Sequence, residues 1–197
     1  MIYFNLADML KEQGKIEGAI NFCEKAVVIL EPFYDEHPQD IGISIEMGII
    51  CTLIAKLYRQ KKQMKSAKSY YMKVESILEA AFQSHPDDSQ VAEMLGTFYI
   101  LYGEENLKTE NISLLIHYFN KGISIIEPIF EGHLEMMEVG ELLFKAHKNL
   151  GKIFRGEANV EKAREHFESA KVLAEFLRDG ELLKEIEALI AEIARDT

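Results

Sequence analysis

The sequence predicts an all-α fold of antiparallel helix pairs stacked as a solenoid and closed by one C-terminal capping helix. Three observations predict it. Residue types recur every 48 positions through the 197-residue chain. Within each period, apolar residues fall at spacings of three and four, which is one face of a helix. The four prolines, at 32, 38, 86 and 128, leave long intervening stretches free to be helical.

The period shows in single columns. Ala19, Ala67, Leu115 and Ala163 form one, and Cys23, Tyr71, Phe119 and Phe167 another. Ala26, Val74, Gly122 and Ala170 keep the same phase, as do Glu31, Glu79, Glu127 and Glu175. His37-Pro38 recurs as His85-Pro86 and weakly as His133-Leu134. Four units in one phase define repeats of about 1–40, 41–88, 89–136 and 137–180 in a single domain spanning 1–197.

Each unit reads as two amphipathic helices. In the second, Met47, Ile50, Cys51, Ile54, Ala55 and Tyr58 mark the first helix, Arg59 to Gln63 a polar turn, and Met64, Ala67, Tyr71, Val74 and Leu78 the second. The His-Pro pairs end these second helices, because proline cannot continue one and restricts the residue before it. Asp40, and one of Asp87, Asp88 or Ser89, caps the helix that follows. The third unit is the weakest, with Asn106 where an aromatic belongs, a one-turn slip available through Leu95, Gly96 and Tyr99, and an irregular segment expected at Glu104–Asn111. Asp179-Gly180 then interrupts, and 181–195 reads as the cap: Leu182, Leu183, Ile186, Leu189, Ile190 and Ile193 on one side, and Lys184, Glu185, Glu187, Glu192 and Arg195 mostly opposite.

These positions resemble the tetratricopeptide repeat. The first unit carries its pattern as Tyr3, Leu6, Ala7, Leu10, Gly14, Ala19, Cys23, Ala26 and Pro32. The second has Cys51, Ile54, Ala55, Tyr58, Ala67, Tyr71 and Val74, and the fourth has His147, Leu150, Gly151, Phe154, Ala163, Phe167 and Ala170. The family's usual unit is about 34 residues, so each helix here is longer by about seven residues, roughly two whole turns. Helices of about 20 residues follow.

The resemblance implies a right-handed solenoid whose concave wall is lined by the first helix of each pair. Projected through the family's pattern, that wall carries Phe4, Asn5, Asp8, Lys11 and Glu12, then Ile49, Thr52, Leu53, Lys56 and Arg59. Thr97, Ile100, Leu101 and Glu104 follow, and the fourth unit supplies Lys145, Lys148, Asn149, Lys152 and Arg155. The implied use is a groove for a protein or peptide segment, with an acidic group held near Lys148 and Lys152. The Lys and Asn clamp by which some members hold a C-terminal carboxylate is not reproduced, because Asn5 has no lysine beside it and Lys148, Asn149 and Lys152 fall in one unit. The first repeat has no matching cap, so a homodimer through its open edge is the alternative, as is a repeat region within a larger regulatory protein.

Composition narrows the partner. A net charge of −11 disfavours nucleic acid and anionic lipid. The basic run Lys56, Arg59, Lys61, Lys62, Lys65, Lys68 and Lys73 suits either an acidic partner or a solvated turn. The most apolar stretch, Ile41 to Ala55, is short for a bilayer and contains Glu46. Two cysteines, Cys23 and Cys51, sit in core phases, and the reducing cytoplasm is the expected compartment. His37, His85 and His133 share a phase but lie in successive repeats, too far apart for one metal ion. His147 is expected to be a satisfied, partly buried packing histidine. Glu131, Glu135, Glu138 and Glu141 read as a solvated face. No phosphate loop, HExxH or nucleophile elbow occurs, so a non-enzymatic scaffold or adaptor, without cofactor or metal, is expected.

Overall fold

A computed structural model describes residues 2–108, 111–132 and 136–195, with side chains from Asn5 onward. Expectations resting on the side chains of Tyr3 and Phe4, or on His133, Leu134 and Glu135, lie outside the described residues.

The described residues are all-α and form nine helices. They are α1 (Ile2–Glu12), α2 (Ile16–Glu36), α3 (Ile41–Gln60), α4 (Met64–Ser84), α5 (Ser89–Glu105), α6 (Ile112–Gly132), α7 (Met137–Gly156), α8 (Val160–Leu177) and α9 (Gly180–Ile193). The second helices α2, α4, α6 and α8 begin at Ile16, Met64, Ile112 and Val160, successive starts lying 48 residues apart. The chain gathers into two compact units, residues 1–94 and 95–197.

In the first unit, α1 pairs with α2 and α3 with α4 across short turns. Gly14 (φ 72°) and Lys62 (φ 60°) close those turns in the left-handed region, which costs lysine roughly 1 kcal/mol that glycine avoids. The core alternates small and large side chains: Ala7, Ala19, Cys23, Cys51, Ala55 and Ala67 beside Met47, Ile54, Tyr71 and Leu78. The helix ends follow the local chemistry. α2 and α4 stop with His37 and His85 at their C-caps. Asp40 Oδ1 accepts from the Ile43 amide, and Asp88 Oδ1, of the three candidates, accepts from the Val91 amide. α2 runs on past Pro32 for another turn. The carbonyl that proline leaves without a helical partner belongs to Val28, which is exposed to water. The apolar stretch of α3 extends to a 20-residue helix that could cross a membrane by length and composition alone, with mean hydropathy 1.7. Here it buries Met47, Ile50, Cys51, Ile54 and Ala55 and packs against α4.

In the second unit, Leu115, Phe119, Ile126, Leu143, Phe144, Leu150 and Phe167 form the core with Ile186 and Ile193 of α9. One contact type repeats. Gly103 lies against the Phe119 ring and Gly151 against the Phe167 ring, 48 residues on in both partners. A Cβ on Gly151 would stand 2.4 Å from that ring, so the aromatic fills the space a side chain would need. Gly96 and Gly122 bring α5 and α6 into backbone contact, since a Cβ on Gly122 would meet Gly96 O at 3.0 Å. The third pair is irregular where expected. α5 is 17 residues, and Asn106 ends it by donating to Tyr102 O at 2.7 Å. Asn111 Oδ1 accepts from the Leu114 amide at the start of α6. α9 starts at Gly180, capped by Asp179, which accepts from the Glu181 and Leu182 amides.

Candidate functional site: the first-helix faces

On the first unit the expected wall is partly solvent-facing. Asn5 and Lys56 are exposed, and Asp8, Thr52, Leu53 and Arg59 half-buried. Asp8 pairs with Lys11 one turn on. Ile49 is 38% exposed, a large apolar side chain beside Thr52 and Leu53. Lys56, one turn beyond, makes no ion pair among the described residues.

The basic run behind this face has a structural use that charge counting alone did not reveal. Glu17, Glu24 and Glu31 are spaced seven apart on α2, so they form one slowly drifting stripe. Lys61 pairs with Glu17, and Lys73 reaches Glu31 at 2.6 Å. Between them Glu24 Oε1 accepts from the Tyr58 hydroxyl at 2.7 Å and the Tyr70 hydroxyl at 3.2 Å. The two rings stack with centroids 5.8 Å apart. The acceptor carboxylate pushes Tyr58 up to about 12. α2 is thus fastened to both α3 and α4 by a row of polar ties.

On the second unit the expected wall is largely consumed within the chain. Ile100 is fully buried, so it supplies packing and no groove surface. The cause is Gly122, whose missing side chain admits Ile100 Cγ1 to 2.5 Å of where a Cβ would stand. Leu101 is half-buried against the core. Asn149 is buried and donates to Glu104 Oε1 at 3.3 Å, joining α7 to α5. Lys145 remains exposed. Lys148 lies 3.0 Å and Lys152 3.7 Å from the Glu185 carboxylate of α9, and Arg155 pairs with Glu192. An acidic group does sit near Lys148 and Lys152, but this chain provides it. Glu185 and Glu192, read from sequence as part of the polar side opposite the stripe, turn toward α7. Their spacing of seven against Lys148, Lys152 and Arg155 was the available signal.

His147 also departs from expectation. It is 6% exposed, and its Nε2 is buried without a hydrogen-bond partner. Glu127 Oε1 stands 3.8 Å away, beyond hydrogen-bond range. Its Nδ1 meets His166 Nδ1 at 3.1 Å, so the pair shares one proton between two ring nitrogens. Burial, reinforced by His166, lowers His147 to about 4, and burial lowers His166 as well. Both rings are therefore neutral at pH 7. Burial holds the thiols protonated too, at about 12 for Cys23 and about 11 for Cys51.

Among the described residues no group of three or more His, Cys, Asp or Glu could hold a metal ion. Among the described residues, open hollows lie along α2 and α8. One, of about 380 Å³, is lined by Asn21, Glu24, Lys25, Val28 and Ile29. The other, of about 640 Å³, is lined by Val160, Glu161, Arg164, Glu165 and Glu168.

Antiparallel helix pairs at a fixed spacing, with small residues set against aromatic rings, define a helical-repeat protein. Residues 2–28 and 49–77 match the tetratricopeptide repeat. Those two stretches, in the first two helix pairs, match a repeat whose fold suggests a protein–protein interaction module. No curated protein matches the sequence. Among solved structures, BtubC (BKLC) from P. vanneervenii is similar at TM-score 0.66 and 18% identity, over 90% of this chain and 64% of that one. This chain therefore spans under two thirds of BtubC. The MamA protein is similar at TM-score 0.47 and 15% identity, over 98% and 85%. YrrB, described as a TPR protein with an unusual peptide-binding site, is similar at TM-score 0.37 and 16% identity, over 98% and 86%. The BtubC likeness bears on the fold alone.

Proposed function

We propose that this chain is a non-enzymatic cytoplasmic scaffold or adaptor that holds a protein or peptide segment on its first-helix faces. One observation carries the reading: α3 offers Ile49, Thr52 and Leu53 to solvent beside Lys56, a cation without an ion-pair partner among the described residues. An apolar strip with a cation at one end suits a segment that contributes an apolar anchor and a carboxylate. The net charge of −11 favours protein partners with some basic character elsewhere over nucleic acid or membrane. The test is peptide-array binding by wild type and by Leu53→Asp with Lys56→Glu. The reading expects at least a tenfold loss in the variant. Unchanged binding would sink it.

A second reading is self-association through the first repeat. Val28, Ile29 and Phe33 on α2 are 67%, 46% and 54% exposed. The counterparts of the last two one repeat on, Ile77 and Ala81, are 3% and 1% exposed, on the edge that Lys73 ties to α2. Sedimentation that reports only monomer at about 100 µM, or a dimer that persists in Ile29→Lys with Phe33→Asp, would remove it.

A further inference from the structure

α9 occupies the second unit as a ligand would. It is a helix of 14 residues that buries Ile186 and Ile193 fully and lays Glu185 and Glu192 along α7. Opposite them stand Lys148, Lys152 and Arg155, at spacings of four and three, so the three cations line one face of α7. An apolar centre flanked by ion pairs is the arrangement by which grooves take amphipathic helices. Leu182, Leu183, Leu189 and Ile190, partly buried, pack against the same core and widen the apolar contact. The connection to α8 is two residues long, and Arg178 within it is held in the left-handed region at φ 54°. Its amide donates to Ala174 O and Glu175 O, so this left-handed residue ends α8 and turns the chain directly into α9.

We propose that the α7–α8 surface is a receptor for acidic amphipathic helices, and that α9 is its resident occupant. A partner helix with carboxylates seven apart along one flank of an apolar stripe docks in place of α9. The inference rests on the reading of the first helices as binding faces and names the partner chemistry for the second unit. Because the occupant is part of the chain, the apparent affinity for a partner is reduced by the fraction of molecules with α9 seated. Charge reversal on α9 weakens the occupant without touching the receptor.

The test uses the full chain and a synthetic peptide of residues 179–195 as the probe, followed by calorimetry or fluorescence anisotropy. Glu185→Lys with Glu192→Lys is expected to bind the peptide at least tenfold more tightly than wild type. Adding Lys148→Glu and Lys152→Glu is expected to abolish that gain. A peptide with lysine at both glutamate positions is expected not to bind the doubly reversed chain. Hydrogen exchange checks the premise independently: residues 180–193 should exchange faster in the doubly reversed chain, while α7 and α8 remain protected. No peptide binding by that chain at 1 mM, or binding indifferent to Lys148 and Lys152, overturns the proposal. Loss of the peptide effect with Leu53- and Lys56-dependent capture intact would sink this inference and leave the scaffold reading standing.

Discussion

Acidification should destabilise the second unit through His147. An unfolded histidine titrates near the ordinary 6.5, whereas burial and His166 hold His147 at about 4 in the fold. The folded state therefore resists a proton that the unfolded state accepts, so this contribution is complete above pH 6.5 and is lost as pH falls toward 4. At about 1.36 kcal/mol per pH unit, the loss reaches roughly 2 kcal/mol at pH 5 and about 3 kcal/mol at pH 4. Against a typical domain stability of about 5–15 kcal/mol that is a large fraction. The neighbouring groups bear on the size. His166, also lowered, acts in the same direction, with Lys162 lowering and Glu165 raising it. Glu127, raised by burial and by Glu131, acts oppositely, because a carboxyl protonated more readily in the fold gains stability on acidification. Glu127 is half exposed, so its offset is the smaller. The assay is urea unfolding followed by circular dichroism at pH 7 and pH 5, on wild type and His147→Gln. The glutamine variant can be less stable throughout, yet its loss between the two pH values should be smaller by about 2 kcal/mol. Proton NMR of the His147 ring should titrate well below 6. A wild type equally stable at both pH values, or a variant with the same loss, would refute the reasoning.

Three further outcomes follow from the packing. Gly122→Ala should destabilise by about 1–3 kcal/mol in thermal melts, although alanine ordinarily favours a helix, because its methyl would meet Ile100 and the Gly96 carbonyl. Gly156→Ala, with nothing within 4 Å, is the control and should be neutral or stabilising. Glu24→Ala should cost about 2 kcal/mol and return Tyr58 from about 12 toward 10 in a spectrophotometric titration, since both tyrosine hydroxyls use that one oxygen. Cys23 and Cys51, buried and held protonated, should resist iodoacetamide at pH 8 in the native protein and react once it is unfolded in urea.

The columns of like residues were a reliable guide to the core. Ala19, Ala67, Leu115 and Ala163 are all buried, as are Cys23, Tyr71, Phe119 and Phe167. A periodic apolar position reports burial because every repeat must solve the same packing problem. The third unit was legible as irregular, because Asn106 competes for its own helix's carbonyls. The candidate groove was less legible. Ile100 belongs to a wall position by pattern, yet the absence of a side chain at Gly122 draws it inward, and pattern matching along one helix does not see the residue across from it. The fate of Lys148 and Lys152 was hidden for a related reason. A helical wheel divides α9 into an apolar and a polar side, but a docked helix also has flanks, and Glu185 and Glu192 lie on the flank beside α7.

The glutamate row on α2 limits how this protein can change length. Glu17, Glu24 and Glu31 reach Lys61, the two tyrosines and Lys73 only while they stay in line. One inserted residue would swing every later side chain by about 100° and carry Glu31 off its lysine. Seven residues return it to within about 20°. A step of seven in α2 keeps the row in phase, and a matching step in the helices that carry its partners keeps it in reach. An insertion that breaks this phase forfeits the ties, whereas one of seven keeps the row in line.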